Sequence, residues 1–345
     1  MKVVYIALNP LRYPRIKKIG YTLRKHSVQF DVMIPKFRLS LPKSRINRFL
    51  FAVINYATVL LQILFVKGDI FWVANCPDIL VLPLILRRRE YVLEYRSIWP
   101  VDVKEEFGQG PWTSIACIIE SIALSRAKAV TLTTSKLLIK VKPYSKPVFV
   151  IPNYPLESFR SKTSREDFRK KHGVKPNLKI VLFVGRLYHI DGADFLPNII
   201  SFVLRKMNAV FWIVGDGPLY SSLKNLEQKY PSFVKFFGWQ PYDKIPDFIN
   251  ASDICIAPRH ETAFSSYYNE EGVFKVSEYM FFRKPIVACG RAESKEYLLV
   301  SEADMGSGVI KALQGKVPSP TPRSWEEYSE KQILKLLDFL GDNKP

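Results

Sequence analysis

The stretch NEEGVFKVSEYMFFRKPIVA, residues 269–288, decides how the rest of the chain is read. Two carboxylates, Glu270 and Glu278, flank what reads as a helix start. On one regular helix they would lie about 12 Å apart and about 80° out of phase, because each residue advances the axis by about 1.5 Å and turns it by about 100°. That separation suits an elongated ligand rather than a shared proton. A more economical placement leaves Glu270 in a loop, turns the chain at Gly272 and puts residues 273–282 on the helix. The amides of Glu271, Gly272 and Val273 then face the same way as Glu270, and free amides at a helix start bind anions. Two glutamates at this spacing also occur on any solvated helix face, so the flanking residues have to decide.

Downstream the stretch runs into Lys284-Pro285-Ile286-Val287-Ala288, a short buried-type strand. Upstream, residues 179–187, KIVLFVGRL, read as a strand that ends on Gly185 and Arg186. A glycine there lets a ligand approach the backbone, and an arginine just after it can present paired donors to a diphosphate. Further strands follow at residues 210–218, VFWIVGDGP, at 234–239, VKFFGW, and at 251–258, with helices between them. Such alternation predicts an α/β domain with a parallel sheet.

In their order and spacing these residues resemble the family 4 retaining glycosyltransferases of the GT-B fold (glycosyl transferases group 1), built from two Rossmann-like domains facing across a cleft. The matching motifs are dense over residues 179–290 and sparse over 1–178. The resemblance implies that Glu270 contacts hydroxyls of the transferred sugar, Glu278 grips the nucleotide ribose, and Arg186 stabilises the leaving diphosphate. It places the donor against Gly185, Arg186, Glu271, Gly272, Val273, Lys275 and Glu278, with the base beside Phe237, Gly238 and Trp239. Arg186, Glu270 and Lys275 are the expected catalytic residues. The family carries a lysine five residues after the arginine. Here that position is Asp191, so Lys275 is expected to supply the missing charge. His260 stands alone in sequence, with no second histidine or acid at metal-ligand spacing. A donor site without metal or cofactor is therefore expected, its substrate a UDP- or GDP-sugar.

The chain of 345 residues, 48% of them hydrophobic, is long enough for two ordinary domains. The expected division is an acceptor domain over residues 1–155, a donor domain over 156–322, and a terminal helix over 323–345 that returns to the first domain. Cys76, Cys117, Cys255 and Cys289 lack any paired spacing, so neither a zinc ribbon nor a disulfide framework is indicated. They read as thiols of a reducing cytosol, and no secretory leader is read before the opening strand at residues 3–8.

Net charge is +19, and residues 1–50 hold twelve Lys or Arg against one acid, Asp31. Such a patch attracts anionic surfaces. No zinc-finger spacing, RNP-like strand or basic tail accompanies it, which argues against nucleic acid as a partner. The first β-α-β unit has arginines and prolines, among them Arg12 and Arg15, where a dinucleotide site would carry glycines. Residues 49–66 are mostly apolar, but Asn55, Thr58 and Gln62 put a polar stripe on one side, which predicts a helix packed in a domain rather than a membrane span. Residues 91–100, YVLEYRSIWP, resemble the family segment at the cleft floor. Arg96 matches it, and Ser97 replaces an aspartate. Arg12, Arg15 and Arg96 are the expected acceptor-side contacts.

The expected function is retaining transfer of a hexose to a lipid-linked or polysaccharide acceptor by a cytoplasmic protein peripherally bound to the inner face of the cell membrane. The alternatives are a GT-B relative that binds membrane or glycan without transfer, and a nucleotide-sugar epimerase.

Overall fold

A computed structural model describes residues 1–8, 14–36 and 45–342, with side chains at all of these except 45–52. The chain divides into two compact units. The first comprises Met1–Pro152 with Ser329–Pro345, and the second comprises Asn153–Tyr328. The division thus falls just ahead of residue 155 and again inside the C-terminal segment.

In the first unit six parallel strands form one sheet: β1 (Lys2–Ile6), β2 (Gln29–Met33), β3 (Ile70–Ala74), β4 (Tyr91–Tyr95), β5 (Ala129–Leu132) and β6 (Val148–Val150), in the order β2-β1-β3-β4-β5-β6. Every residue of β3, β4 and β5 is buried, as expected of a parallel sheet covered by helices on both faces. The apolar stretch after residue 48 lies on a helix, Arg45–Phe65. Its Val59 and Ile63 are buried, and Gln62 clasps the backbone after β2, donating to Ile34 O at 2.9 Å and accepting from Lys36 N at 3.1 Å. Among the described residues no helix is long and apolar enough to cross a membrane. The terminal helix Lys331–Asp342 buries Ile333, Leu336 and Leu340 in this unit, and Phe339 lies 6.1 Å from Phe149 of β6. One turn of π-helix, Trp325–Glu330, precedes it.

The second unit repeats the plan with β7 (Lys179–Val184), β8 (Ala209–Val214), β9 (Val234–Gly238), β10 (Ile254–Ala257), β11 (Ile286–Ala288) and β12 (Leu298–Leu299), in the order β12-β11-β10-β7-β8-β9. All pairs are parallel, with β7 and β8 in register from Lys179↔Ala209 to Val184↔Val214. Helices Leu196–Leu204 and Met305–Leu313 cover one face, helices Ile245–Ala251 and Phe274–Phe281 the other. Lys284 is a structural member of this packing. Its amine donates to Asn250 O and Ser252 O, both at 2.8 Å, and burial pushes it down to about 8.

Candidate functional site

Strands β11, β10, β7 and β8 are neighbours, and ligands of open α/β sheets gather where such strands end. Two glycines bring those ends into backbone contact. At Gly215, φ 146°, an added Cβ would lie 1.7 Å from the Gly185 carbonyl oxygen. At Gly290, φ 63°, it would lie 2.1 Å from the Arg259 carbonyl oxygen. The residues just past β7, β10 and β11, namely Gly185-Arg186, Arg259 and Arg291, therefore share one edge.

The helix Phe274–Phe281 is pinned to the same edge. Tyr279 receives a hydrogen bond from Val184 N at 2.8 Å, at the end of β7. Asn153 holds the preceding loop, donating from its backbone to Glu271 O at 2.7 Å and from its side chain to Gly272 O at 2.9 Å. Val273 is the extended residue ahead of the helix and has no side-chain cap. The amide of Glu271 donates to Asn269 Oδ1 at 3.2 Å. This corrects the expectation for Glu271: the loop caps itself there, and its amide is spent on Asn269.

Lys275 reaches from the first turn to Gly185. Its Nζ is 3.4 Å from where a Gly185 Cβ would stand, and 4.8 Å from the Phe183 ring centre. Burial pushes its amine down to about 7. Arg291 and Arg259 add to that shift, and Asp191 opposes it. Arg291, 8% exposed, is itself lowered to about 10 by burial and by Arg259. Asp191 lies 2.9 Å from Arg186 Nη2 and 3.7 Å from Arg259 Nη1. Four cationic side chains thus gather around one carboxylate. Arg259 and Arg291 were not anticipated from sequence. Each carries the sign that singled out Arg186, an arginine just past a strand end.

The two glutamates differ in environment. Glu270 is 7% exposed, with Arg323 Nη1 at 3.8 Å and Oε2 without a hydrogen-bond partner. Burial raises its carboxyl above the usual range and Glu271 adds to this, while Ser294 and Arg323 pull the other way. Arg323, held by Tyr154 at 2.9 Å and Glu296 at 2.8 Å, is a further neighbour that sequence did not mark. Glu278 is 5% exposed and accepts from the Tyr242 hydroxyl at 3.0 Å.

In the expected base site Gly238 has φ 64° and Trp239 is 70% exposed. The Phe237 ring packs against His172, Trp212 and Phe248, with centroids 4.8–5.3 Å away.

On the acceptor side, Arg12 lies outside the described residues. Arg15 is corrected. It is 2% exposed, pairs with Glu94 and donates to Ile151 O at 2.7 Å, so it belongs to the interior of the first unit. Burial alone would raise the Glu94 carboxyl, but Arg15, Arg96 and the Tyr5 hydroxyl outweigh it and hold it below the usual range. Arg96 is half-buried at the end of β4 and leans on Asn75 O at 3.4 Å. Ser97, in the place of the family's aspartate, faces Asp102 at 3.3 Å.

His260 is not alone in space. Its Nε2 lies 2.8 Å from Asp194 Oδ2, and His189 stacks on it with ring centres 4.0 Å apart. Folding of two loops creates this group, which sequence spacing could not show.

Residues 178–314 match the family model described as "Glycosyl transferases group 1". An uncharacterized glycosyltransferase, MJ1607, of Methanocaldococcus jannaschii is 29% identical over 94 residues, 27% of this chain and 24% of that protein. Among solved structures, a sucrose-phosphate synthase from Thermosynechococcus elongatus superposes with a TM-score of 0.71 at 13% identity, covering 99% of both chains. HepE of Anabaena, in complex with UDP-glucose, gives 0.64 at 16% identity, covering 99% of this chain and 100% of that one. The chain has the GT-B fold, and residues 178–314, within its second unit, are similar to the glycosyl transferases group 1 model.

Proposed function

We propose that the chain is a retaining glycosyltransferase that moves a hexose from a UDP- or GDP-sugar to a lipid-linked or polysaccharide glycan. The observation that carries this reading is the convergence of Arg186, Arg259, Lys275 and Arg291 on one strand edge, beside the start of the helix Phe274–Phe281. Such a group needs an anion, and a diphosphate fits its extent and charge. The chain's own cations supply that charge, so transfer is metal-independent in this reading. The Glu270 oxygen without a partner accepts a sugar hydroxyl, and Glu278 accepts from the ribose. In the reaction the acceptor hydroxyl oxygen bonds to the anomeric carbon on the face that the diphosphate leaves. Its proton passes to the departing phosphate oxygen. Positive charge around that oxygen lowers the barrier where negative charge develops. The complex of HepE with UDP-glucose supports a nucleotide-sugar donor for this chain too.

An anionic membrane surface is the proposed setting. Trp112, Ile115, Ile118 and Ile122 all point outward from the helix Pro111–Arg126, 37–59% exposed, with Phe107 just before it. These positions fall within about 120° of arc on a helix, an apolar stripe for a lipid boundary.

Asp191, which ties up two of the arginines, favours one rival, a relative that binds without transfer. The experiment incubates purified protein with a panel of UDP- and GDP-sugars and a lipid-linked glycan, and follows product by mass spectrometry. Transfer that is retained in configuration and lost in Glu270→Ala is expected. Binding without product from any donor would leave the rival, and epimerised donor without acceptor would mean an epimerase.

A further inference from the structure

We propose that His189, Asp194 and His260 form a site for a first-row transition-metal ion of the zinc class, separate from the donor-binding groups. His189 opens a single 3-10 turn, His189–Asp191, downstream of β7, and Asp194 lies in the next turn, Ala193–Phe195. His260 comes from the loop after β10. Asp194 Oδ2 is 2.8 Å from His260 Nε2 and 3.3 Å from His189 Nε2, and the three ligand atoms all lie within 4.8 Å of one another. An ion about 2.0–2.1 Å from each of three tetrahedral ligands holds them roughly 3.4 Å apart. The two Asp194 distances are already close to that. Two imidazoles with one carboxylate is a donor set that zinc and its neighbours accept, leaving a fourth position for water.

The rival is a hydrogen-bonded histidine stack in which a protonated His260 donates to both flanking carboxylates, and metal titration separates the two. Nδ1 of His260 faces Glu302 Oε1 at 3.6 Å while Nε2 faces Asp194. A neutral imidazole has one N–H, so one of these nitrogens presents a lone pair to a carboxylate oxygen. A cation at Nε2, with the proton on Nδ1 toward Glu302, satisfies both. Carboxylates commonly orient ligating histidines in this way. Glu302 is itself fixed, accepting from Glu261 N at 3.0 Å. Phe195 packs against the His260 ring at 4.3 Å and holds it in place.

The rings are parallel within 4°, so one ion cannot lie in both ring planes. Binding requires His189 to tilt out of the stack. Its side chain is 73% exposed and can do so. The ion would then join the loop that carries Arg186 and Asp191 to the loop that carries Arg259.

The test strips the full chain with chelator and titrates it calorimetrically with zinc sulfate, then with cobalt to read visible absorption. One ion per chain is expected, with the absorption of four-coordinate cobalt. His189→Ala, a substitution at an exposed ring, should keep the circular dichroism spectrum and weaken binding at least about tenfold. Asp194→Asn should do the same, and zinc should raise the melting temperature of the unaltered chain but not of His189→Ala. Failure to bind zinc would overturn the proposal. So would binding unchanged in His189→Ala, or binding that disappears in Cys117→Ser, where an exposed thiol competes. None of these readouts depends on donor binding or transfer.

Discussion

Lys275 shows how a side chain can be tuned by what is missing as much as by what is present. Burial pushes its amine down to about 7, with Arg291 and Arg259 adding to the shift and Asp191 opposing it. In the unfolded chain it holds its proton to about pH 10.4. Between those limits the unfolded state binds more protons, so this group makes the fold more stable as pH rises from about 7 to about 10 and adds no pH dependence below that window. A bound diphosphate reverses the preference, because it favours the ammonium. Nucleoside diphosphate binding should therefore take up a proton above about pH 7, with affinity falling by up to about tenfold per pH unit. Calorimetry in buffers of different ionisation enthalpy measures that uptake, and Lys275→Met should abolish it. Proton-independent binding by the unaltered chain would remove Lys275 from the diphosphate. The sequence made Lys275, Arg186 and the two glutamates legible because a motif surrounds them. Arg259, Arg291 and Arg323 stand in no motif, and only the strand order β11-β10-β7 brings the first two to Arg186.

Strand ends and the glycines between them hold the site together. Gly215 sits at φ 146°, and its missing Cβ leaves the space taken by the Gly185 carbonyl. Gly215→Ala forces two backbones apart. It should cost about 3 kcal/mol or more in the second unit and weaken nucleotide binding, measured by denaturant unfolding and calorimetry. A substitution without cost would mean that β7 and β8 do not hold each other at their ends. The elements were mostly readable from apolar runs bounded by glycine and proline, since strands buried on both faces are continuous in sequence. The helix Trp99–Phe107 was not, because its first residues, Trp99-Pro100, close the segment 91–100 that the sequence matches only to the cleft floor. Proline is favourable in the first turn of a helix, where its missing N–H has no partner to lose. At the other end of the chain, the terminal segment over 323–345, expected to be one helix, has a π turn at Trp325–Glu330 before the helix Lys331–Asp342.

For the whole molecule, the uneven charge and the outward apolar stripe on Pro111–Arg126 favour the same partner. Vesicles containing anionic lipid should retain the chain at low salt and release most of it at about 1 M salt, where the Debye length falls to about 3 Å. Ile118→Asp should weaken retention on flotation, and retention unaffected by salt and by this substitution would count against the membrane setting. The polar stripe on Arg45–Phe65 was read from sequence as packing, and Gln62 does pack, on Ile34 and Lys36. The acceptor residues were less legible: Arg15 could be placed at a basic surface by pattern alone, and only the buried position of Glu94 explains why it turns inward. The central claim is that the second unit holds a nucleotide by its phosphates. Calorimetric titration of UDP and GDP into the unaltered chain, Arg186→Ala and Lys275→Met tests it most directly. One nucleotide should bind, and each substitution should weaken it by about tenfold or more, as loss of a hydrogen bond to a charged group costs about 1.5–3 kcal/mol. Equal affinity in all three proteins, or no binding of either nucleotide to the unaltered chain, would contradict the account.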